Sequence, residues 1–205
     1  MRPGSEAGER LVDQQPTLLT ERLELRPFRP GDAPRVQEIA SAREIADTTL
    51  SIPHPYPPGA AVGWIATHAL AWEAGTGAVF AITERTGAAL VGAVGLAISP
   101  EHARAELGYW VAVSHWGMGY CTEAARAILA FAFGPLALHR VQARHFVRNP
   151  ASGRVMQKLG MRHEGVHRDA MRKWGRFEDL AQYAILAGEC GGDGRPTPAH
   201  AATFE

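Results

Sequence analysis

Two glycines near the middle of the chain have a spacing that suits the binding of a phosphate. Gly117 and Gly119 bracket one residue in the segment SHWGMGYCTEA, and an alanine-rich helical pattern follows them. The start of a helix presents unpaired backbone N–H groups and a partial positive charge, both of which attract anions. Glycine has no Cβ, so a ligand can approach the main chain closely. The spacing therefore indicates a phosphate site or, equally, a tight connection between a strand and a helix.

Two common nucleotide-binding signatures do not fit this segment. The third glycine of a dinucleotide-binding GxGxxG pattern would fall at Thr122, and no acidic residue closes a following strand. The P-loop pattern also fails, because no Gly-Lys-Ser or Gly-Lys-Thr follows the glycines. Thr122 instead offers a hydroxyl group for an additional hydrogen bond to a phosphate.

A second stretch, HEGVH at residues 163–167, matches the HExxH signature of zinc proteases. That signature requires a helix, because only there are residues i and i+4 neighbours that can share one zinc ion. Gly160 and Gly165 oppose a helix, and on a strand the two histidines would lie about 13 Å apart at about 3.3 Å per residue. We therefore predict no metal site and assign these histidines to the surface or to a turn.

The bulk composition indicates one globular domain and no strongly charged partner. The chain has 205 residues, 46% of them apolar, with 21 basic and 21 acidic residues in balance. Nothing in this charge pattern indicates nucleic acid or a membrane surface. The two cysteines, Cys121 and Cys190, suggest neither a disulfide framework nor a metal centre. With no targeting or membrane-spanning pattern, we expect a cytoplasmic protein that is a monomer or a homodimer.

Hydrophobic periodicity predicts the order β-α-α-β-β-β-α-β-α-β-β and hence one α/β domain with a mixed, mostly antiparallel sheet. Asp32 is the expected N-cap of the first helix, and Gly160 ends the last one. Residues 1–16 and 188–205 are polar without periodicity, and we predict that both segments are disordered. The predicted elements are strand 18–28, helices 33–40 and 60–75, strands 78–84, 89–98 and 104–113, helix 120–133, strand 139–147, helix 151–160 and strands 165–174 and 177–187.

Five short motifs give this pattern a family resemblance. SIPHPYP, GYW, GYCTEA, NPAS and KLGM occur in this order between residues 51 and 161. Together the motifs resemble the GCN5-related N-acetyltransferase (GNAT) superfamily, and within it the RimJ/RimL-type branch, over residues 17–187. The resemblance implies a GNAT-like sheet with helices on both faces, acetyl-CoA as co-substrate without a metal, and direct acetyl transfer to a primary amine. The acceptor is then the N-terminal amine of a protein, such as a ribosomal protein, or a small amine such as an antibiotic or a polyamine.

The resemblance places the diphosphate of acetyl-CoA on the glycine turn. The family pattern maps onto six consecutive residues and departs from it at two: Trp116 replaces Gln or Arg, and Cys121 replaces a small residue. A side-chain contact is lost, but the backbone N–H groups remain. In the family, the preceding strand also exposes backbone groups to the pantetheine arm, here those of Val111 and Val113. The six residues of the turn are Trp116, Gly117, Met118, Gly119, Tyr120 and Cys121.

Acetyl transfer to an amine requires a base, because the acceptor amine, with a pKa of about 8 for an α-amine or about 10.4 for lysine, is protonated at pH 7. Glu106 precedes the glycine turn between two apolar residues, which would raise its pKa into a useful range. It is the predicted base, although it also suits an outward-facing residue or a partner for arginine. The resemblance assigns Asn149 to the pantetheine amides and Ser152 to the cofactor sulfur, whereas both also suit a helix cap. Met156 stands where many family members have a tyrosine as proton donor.

Three residues are predicted to line the acceptor site. Tyr109 and Trp110 alternate on the strand before the turn, so we expect one to join the core and the other, assigned as Trp110, to line the acceptor cleft. The proline-rich segment 51–59 is either an acceptor loop, with His54 and Tyr56 reaching the substrate, or a plain connection. Because the usual tyrosine is missing, a non-catalytic sensor of acetyl-CoA is the alternative function.

Overall fold

The computed structural model describes residues 14–197, so most of the two segments predicted to be disordered lies outside the described residues. The helices are α1 (Ala33–Ala40), α2 (Arg43–Thr48), α3 (Ala60–Glu73), α4 (Tyr120–Phe133) and α5 (Pro150–Lys158). The strands are β1 (Leu18–Leu19), β2 (Leu23–Pro27), β3 (Gly77–Glu84), β4 (Leu90–Ser99), β5 (Arg104–Val111), β6 (Arg140–Phe146), β7 (Arg162–Lys173) and β8 (Arg176–Leu186).

All eight of these strands form one sheet in the order β1-β2-β3-β4-β5-β6-β8-β7. Every neighbouring pair is antiparallel except β5 and β6, which are parallel because α4 crosses between them. The mixed, mostly antiparallel sheet predicted from the sequence is therefore confirmed. The three strands β3, β4 and β5 form the predicted antiparallel meander.

Helices cover both faces of the sheet, as predicted, and each face has its own hydrophobic core. On one face, α4 and α5 pack against alternate residues of the central strands, including Leu25, Phe80 and Leu107. On the other face, α1 and α3 pack against a smaller cluster that includes Ala81 and Trp110. The alternation along each strand thus sends successive side chains into different layers.

The sheet opens between its two parallel strands. Residues 104–106 of β5 pair with residues 140–142 of β6, and the pairing ends at Glu106 and Gln142. Beyond that point β5 continues to Val111 and β6 to Phe146 without further pairing between them. Backbone groups of β5 that face β6 are therefore available to a ligand in this opening.

Three local features differ from the sequence-based expectation. The predicted strand 18–28 is divided in two, because Thr20 closes a turn through hydrogen bonds with the backbone of Leu23. The short helix α2 was not predicted. The described part of the C-terminal segment, residues 188–197, is also structured: Cys190 forms an isolated bridge with Pro196, which packs against Gly160. None of the described helices is long and apolar enough to cross a membrane.

Candidate active site

The glycine turn joins β5 to the N-terminus of α4 and adopts a conformation that requires glycine. Gly117 and Gly119 have φ angles of 79° and 82°, in the left-handed region that other residues rarely occupy. Gly119 is the N-cap of α4, and a Cβ atom built at Gly117 would meet nothing within 4 Å. The turn thus presents helix N–H groups beside open space, which is the arrangement that binds phosphate groups.

An arginine from the start of the sheet holds the glycine turn in place. The Arg22 guanidinium donates a hydrogen bond of 3.0 Å to the carbonyl of Met118 and forms a salt bridge of 2.6 Å with Glu123 in the first turn of α4. It also lies 4.7 Å from the ring centre of Tyr120, whose hydroxyl donates to Glu84. The Met118 side chain is half exposed and lines no described cavity.

Trp116 contacts the strand that the resemblance assigns to the pantetheine arm. Its indole N–H donates a hydrogen bond of 2.9 Å to the carbonyl of Val111. Because Ala112 N–H bonds to Val91 on β4, the groups of Val111 point the other way, into the opening beside β6. Trp116 therefore occupies one of the backbone groups predicted for the cofactor. Val113 lies beyond the strand in a 3₁₀ turn and lines no described cavity.

A cavity of about 280 Å³ extends from the glycine turn to α5. Most of the residues predicted to bind the cofactor line it, and two cations that the sequence analysis did not assign, Arg154 and Lys158, lie at its edge on successive turns of α5. The predicted residues that line it are Trp110, Val111, Trp116, Gly117, Gly119, Tyr120, Cys121, Thr122, Asn149 and Ser152.

Cys121 lines this cavity but is not an activated nucleophile. Its side chain packs against the main hydrophobic core at the start of α4. Burial raises the pKa of the Cys121 thiol to about 12, so the thiol stays protonated at neutral pH. It therefore serves as a packing residue.

Asn149 and Ser152 begin helix α5 and form its cap. The Asn149 side-chain oxygen accepts a hydrogen bond of 3.3 Å from the Ser152 backbone N–H, and its amide group donates one of 3.3 Å to the carbonyl of Thr48. The cap therefore exists in this structure, and Asn149 also connects α5 to the last residue of α2. Both residues also line the cavity beside the glycine turn, so capping does not prevent them from contacting a ligand there.

The Ser152 hydroxyl forms a pair with Tyr109 of β5. The two hydroxyl oxygens are 3.0 Å apart, and the tyrosine hydroxyl also donates a hydrogen bond of 3.2 Å to the Ser152 carbonyl. Burial is the main reason that the pKa of Tyr109 is raised above its ordinary value, so the phenol keeps its proton at neutral pH. Met156, one turn further along α5, is fully buried and offers no proton donor.

A second cavity, of about 710 Å³, lies on the opposite face of the sheet under α3. Its floor consists of small residues of β4 and β5, and its walls come from one side of α3 and from the segment 48–56. The two cavities have five lining residues in common and therefore meet at one place. These shared residues are Thr48, Thr49, Tyr109, Trp110 and Ser152.

Glu106 lines the second cavity, but not in the apolar environment that we predicted. Its carboxylate forms a bidentate ion pair with Arg144 of β6, with contacts of 2.9, 3.0 and 3.1 Å. The expectation of an apolar setting is wrong because the parallel pairing of β5 with β6 brings Arg144 beside it. The neighbours Ala105 and Leu107 are buried on the other face of the sheet.

The three residues predicted to bind the acceptor are not all in one place. Trp110 and Tyr56 line the second cavity. His54 is exposed, lies 6.3 Å from the ring of Trp174 on the β7–β8 hairpin, and lines no described cavity. The hairpin also provides Lys173, whose buried ammonium group donates hydrogen bonds of 3.0 and 2.7 Å to the carbonyls of Thr49 and Ile52.

The HEGVH segment lies in strand β7, which confirms the extended conformation predicted for it. The His163 ring packs 5.1 Å from that of Tyr183, and Glu164 forms a salt bridge with Arg140. Within residues 14–197, no group of three or more His, Cys, Asp or Glu side chains is arranged to hold a metal ion.

Comparisons with known proteins agree with this architecture. Residues 22–162 match the family model described as an acetyltransferase (GNAT) domain. The chain is 31% identical over 177 residues to YoaA of Bacillus subtilis, an uncharacterised N-acetyltransferase, covering 83% of this chain and 97% of the relative.

Solved structures give the same assignment. Mycobacterium smegmatis RimJ, in complex with a CoA disulfide, is 26% identical with a TM-score of 0.74, covering 82% of this chain and 83% of RimJ. RimL, a ribosomal L7/L12 α-N-protein acetyltransferase in complex with coenzyme A, shares the fold with a TM-score of 0.76 at 19% identity, covering 82% of this chain and 95% of RimL. The resemblance to RimJ/RimL-type enzymes is thus confirmed, and the chain belongs to the GNAT family of N-acetyltransferases.

Proposed function

We propose that the protein moves an acetyl group from acetyl-CoA to a primary amine. Acetyl-CoA is held in the cavity at the glycine turn, the cofactor cavity, and the amine in the cavity under α3, the acceptor cavity. The observation that carries the proposal is that the two cavities meet at Tyr109, Trp110 and Ser152. An acyl donor and an acceptor that enter from the two faces of the sheet then come together at this wall. Holding both reactants in one complex contributes to catalysis by orientation alone.

The cofactor cavity has the groups that coenzyme A needs. The N–H groups of the glycine turn suit the diphosphate, the Val111 N–H faces the opening for the pantetheine arm, and Arg154 and Lys158 suit a further phosphate. When bound, acetyl-CoA supplies a thioester whose carbonyl carbon forms a bond to the amine nitrogen as its bond to sulfur breaks.

In this proposal, Glu106 accepts the proton that the amine must lose, directly or through a water molecule. It lines the acceptor cavity on the same face of β5 as Trp110, four residues earlier in the strand and therefore further from the glycine turn. Arg144 holds the carboxylate in one position. A positioned general base contributes about 10²–10⁴ to a rate.

The hydroxyl pair of Ser152 and Tyr109 is suited to the leaving thiolate. Ser152 can donate a hydrogen bond to the sulfur while the protonated phenol of Tyr109 donates to Ser152. A relay of this kind would replace the tyrosine that Met156 displaces in this chain. It requires no covalent acetyl-enzyme, and the protonated state of Cys121 is consistent with direct transfer.

The likeness to RimJ and RimL supports a protein N-terminal amine as the acceptor, as in the ribosomal L7/L12 substrate of RimL. Small-molecule amines such as antibiotics or polyamines are the alternative. A second candidate function is a sensor that binds acetyl-CoA without turnover, which the buried Met156 and the Glu106–Arg144 ion pair favour.

The variant Glu106→Gln separates the enzyme from the sensor. We expect it to lower kcat at least about 100-fold, because the base is lost, while calorimetry shows an acetyl-CoA Kd within about threefold of the wild type. Glu101→Gln, at an exposed position beyond the end of β4, is the matched control and keeps full activity. Retained turnover in Glu106→Gln would rule out Glu106 as the base. Wild-type protein that binds acetyl-CoA but releases no thiol with any amine would support the sensor.

A further inference from the structure

None of the described Asp, Glu, Lys and Arg residues that line the acceptor cavity carries an unpaired charge. Its charged side chains are Glu106 and Arg144, which neutralise each other in their bidentate ion pair. Burial lowers the pKa of His68, which also lines the cavity, to about 4, so this imidazole is neutral at pH 7. A substrate with several ammonium groups would therefore find no free carboxylate here.

Three aromatic side chains form part of the walls of the cavity. Trp64 of α3 and Trp110 of β5 are in a tilted contact with ring centres 6.3 Å apart, and Tyr56 lines the same space. Trp64 is held by Phe28 at 5.1 Å and by His68 at 4.5 Å, both in edge-on contacts. The tryptophan is thus a fixed wall and not a mobile surface side chain.

The floor of the cavity is nearly free of side chains. Gly95 and Gly108 are register partners on β4 and β5, and the residues beside them on the same face of β4 are Ala93 and Ala97. A Cβ atom built at Gly108 would meet nothing within 4 Å, so the space above this glycine is open. A group lying on this floor contacts methyl groups and backbone below it and aromatic rings beside it.

From these observations we propose that the acceptor is a monoamine with an apolar or aromatic group next to its amino nitrogen, such as a peptide whose first residue is phenylalanine, leucine or methionine. The inference rests on the proposed function, because it assigns the acceptor of the same acetyl transfer. Burying the apolar group removes it from water and lowers the free energy of binding. The apolar surroundings also lower the pKa of the bound amine, which favours the neutral form that attacks.

A panel of acceptors tests this assignment by following thiol release from acetyl-CoA. It contains three tripeptide amides that differ only in the first residue, phenylalanine, alanine or aspartate, together with phenethylamine and spermidine. We expect kcat/KM for the phenylalanine peptide to exceed that for the alanine peptide at least about tenfold, the value for phenethylamine to exceed that for spermidine, and both the aspartate peptide and spermidine to fall below the alanine peptide. A preference for spermidine or the aspartate peptide would overturn the inference and leave acetyl transfer intact. No turnover with any amine would overturn both.

Two variants connect the preference to this cavity. Trp64→Ala removes a wall, and Gly108→Ala fills the floor without a clash. Each is expected to reduce the phenylalanine-to-alanine ratio of kcat/KM at least about fivefold, a change that a general loss of stability does not produce. The controls are Leu70→Ala and Gly63→Ala, exposed positions of α3 outside the cavity, which keep the ratio. An unchanged ratio in Gly108→Ala would overturn the inference even if Trp64→Ala did not fold.

Discussion

In the proposed mechanism, the paired hydroxyl groups of Tyr109 and Ser152 take the place of the proton donor that the chain lacks at position 156. Met156 removes the expected proton donor from α5, but the phenol of Tyr109 reaches the same helix from β5 and bonds to Ser152 at 3.0 Å. Both residues lie where the two cavities meet. The pair therefore acts as a unit in the proposed mechanism.

Ser152→Ala is expected to lower kcat about 10- to 100-fold with an acetyl-CoA Kd within about threefold of the wild type, because the donor to the thiolate is lost. Tyr109→Phe should lower kcat less than Ser152→Ala does. The kcat of the double variant should lie within about twofold of that of Ser152→Ala, since the tyrosine acts through the serine. Steady-state kinetics with calorimetry measure both quantities. Ser114→Ala, which removes an exposed hydroxyl, is the control. Fully additive effects of the two changes would contradict the relay.

His68 should make the fold sensitive to acid. Its folded pKa of about 4 lies below the ordinary value of 6.5, because burial disfavours the charged ring. As the pH falls from about 6.5 to about 4, the unfolded chain binds a proton that the folded protein does not, so stability is lost across this window. The loss attributable to His68 is up to about 3 kcal/mol.

Urea unfolding of wild type and His68→Phe at pH 7.5 and pH 5 measures this effect. The variant should lose less of its free energy of unfolding between the two pH values than the wild type does. Identical losses would show that His68 is solvated or protonated in the folded protein.

At the scale of elements, the connection between β5 and α4 determines where a phosphate can bind. The strand supplies outward-facing backbone groups near Val111, and two glycines reverse the chain so that the helix begins with its N–H groups beside the cavity. Arg22, from the turn between β1 and β2, fixes this connection through Met118 and Glu123. The proposed anion site is therefore built from backbone geometry and not from a charged side chain in the turn.

Gly117→Ala tests this site, and Gly87→Ala is the control for backbone strain. Both Gly117 and Gly87 have positive φ and open space around a built Cβ atom, so alanine costs about 1–2 kcal/mol of stability at either position. Of these two glycines, Gly117 lines the cofactor cavity and Gly87 does not. We expect Gly117→Ala to raise the acetyl-CoA Kd at least about tenfold and Gly87→Ala to leave it unchanged, as measured by calorimetry. Equal affinities in the two variants would place the diphosphate elsewhere.

Across the whole molecule, the C-terminal hairpin holds the segment that separates α2 from α3. The ammonium group of Lys173 reaches carbonyls 124 and 121 residues earlier in the chain, at Thr49 and Ile52. Arg148, before α5, adds a hydrogen bond of 3.0 Å to the carbonyl of Asp47 and an ion pair with Glu178 of the hairpin. The acceptor cavity is thus closed by parts of the chain that are far apart in sequence.

Lys173→Met should loosen this closure. Two carbonyls lose their donor, which costs about 1–3 kcal/mol of stability, and the segment 49–52 becomes free to move. We expect the acceptor KM to rise at least about fivefold and the acetyl-CoA Kd to change less than threefold. The neighbouring Arg172→Met, at an exposed position, is the control. If both variants left the acceptor KM unchanged, the hairpin would have no part in acceptor binding.

Local patterns were sufficient for most of the fold. The bounds of α4 agree with the alanine-rich period between Gly119 and Gly134, because glycines mark both ends of that helix. Strand bounds agree to within a few residues, since alternation reports which side chains are buried. The family and the glycine turn were likewise recognisable, because their signals lie within short stretches of chain. The short helix α2 was missed, since its six residues give too few turns for a period to be seen.

The sequence by itself therefore determined most of the elements, their order and the location of the glycine turn proposed for the cofactor, all of which depend on neighbours in the chain. Only the tertiary structure decided the environment of the proposed catalytic groups. Glu106 contacts Arg144, 38 residues later in the chain, because β5 pairs in parallel with β6. Tyr109 contacts Ser152, 43 residues later, because α5 packs beside β5. Contacts of this kind depend on strand register and on how helices pack over the sheet, which no local pattern specifies.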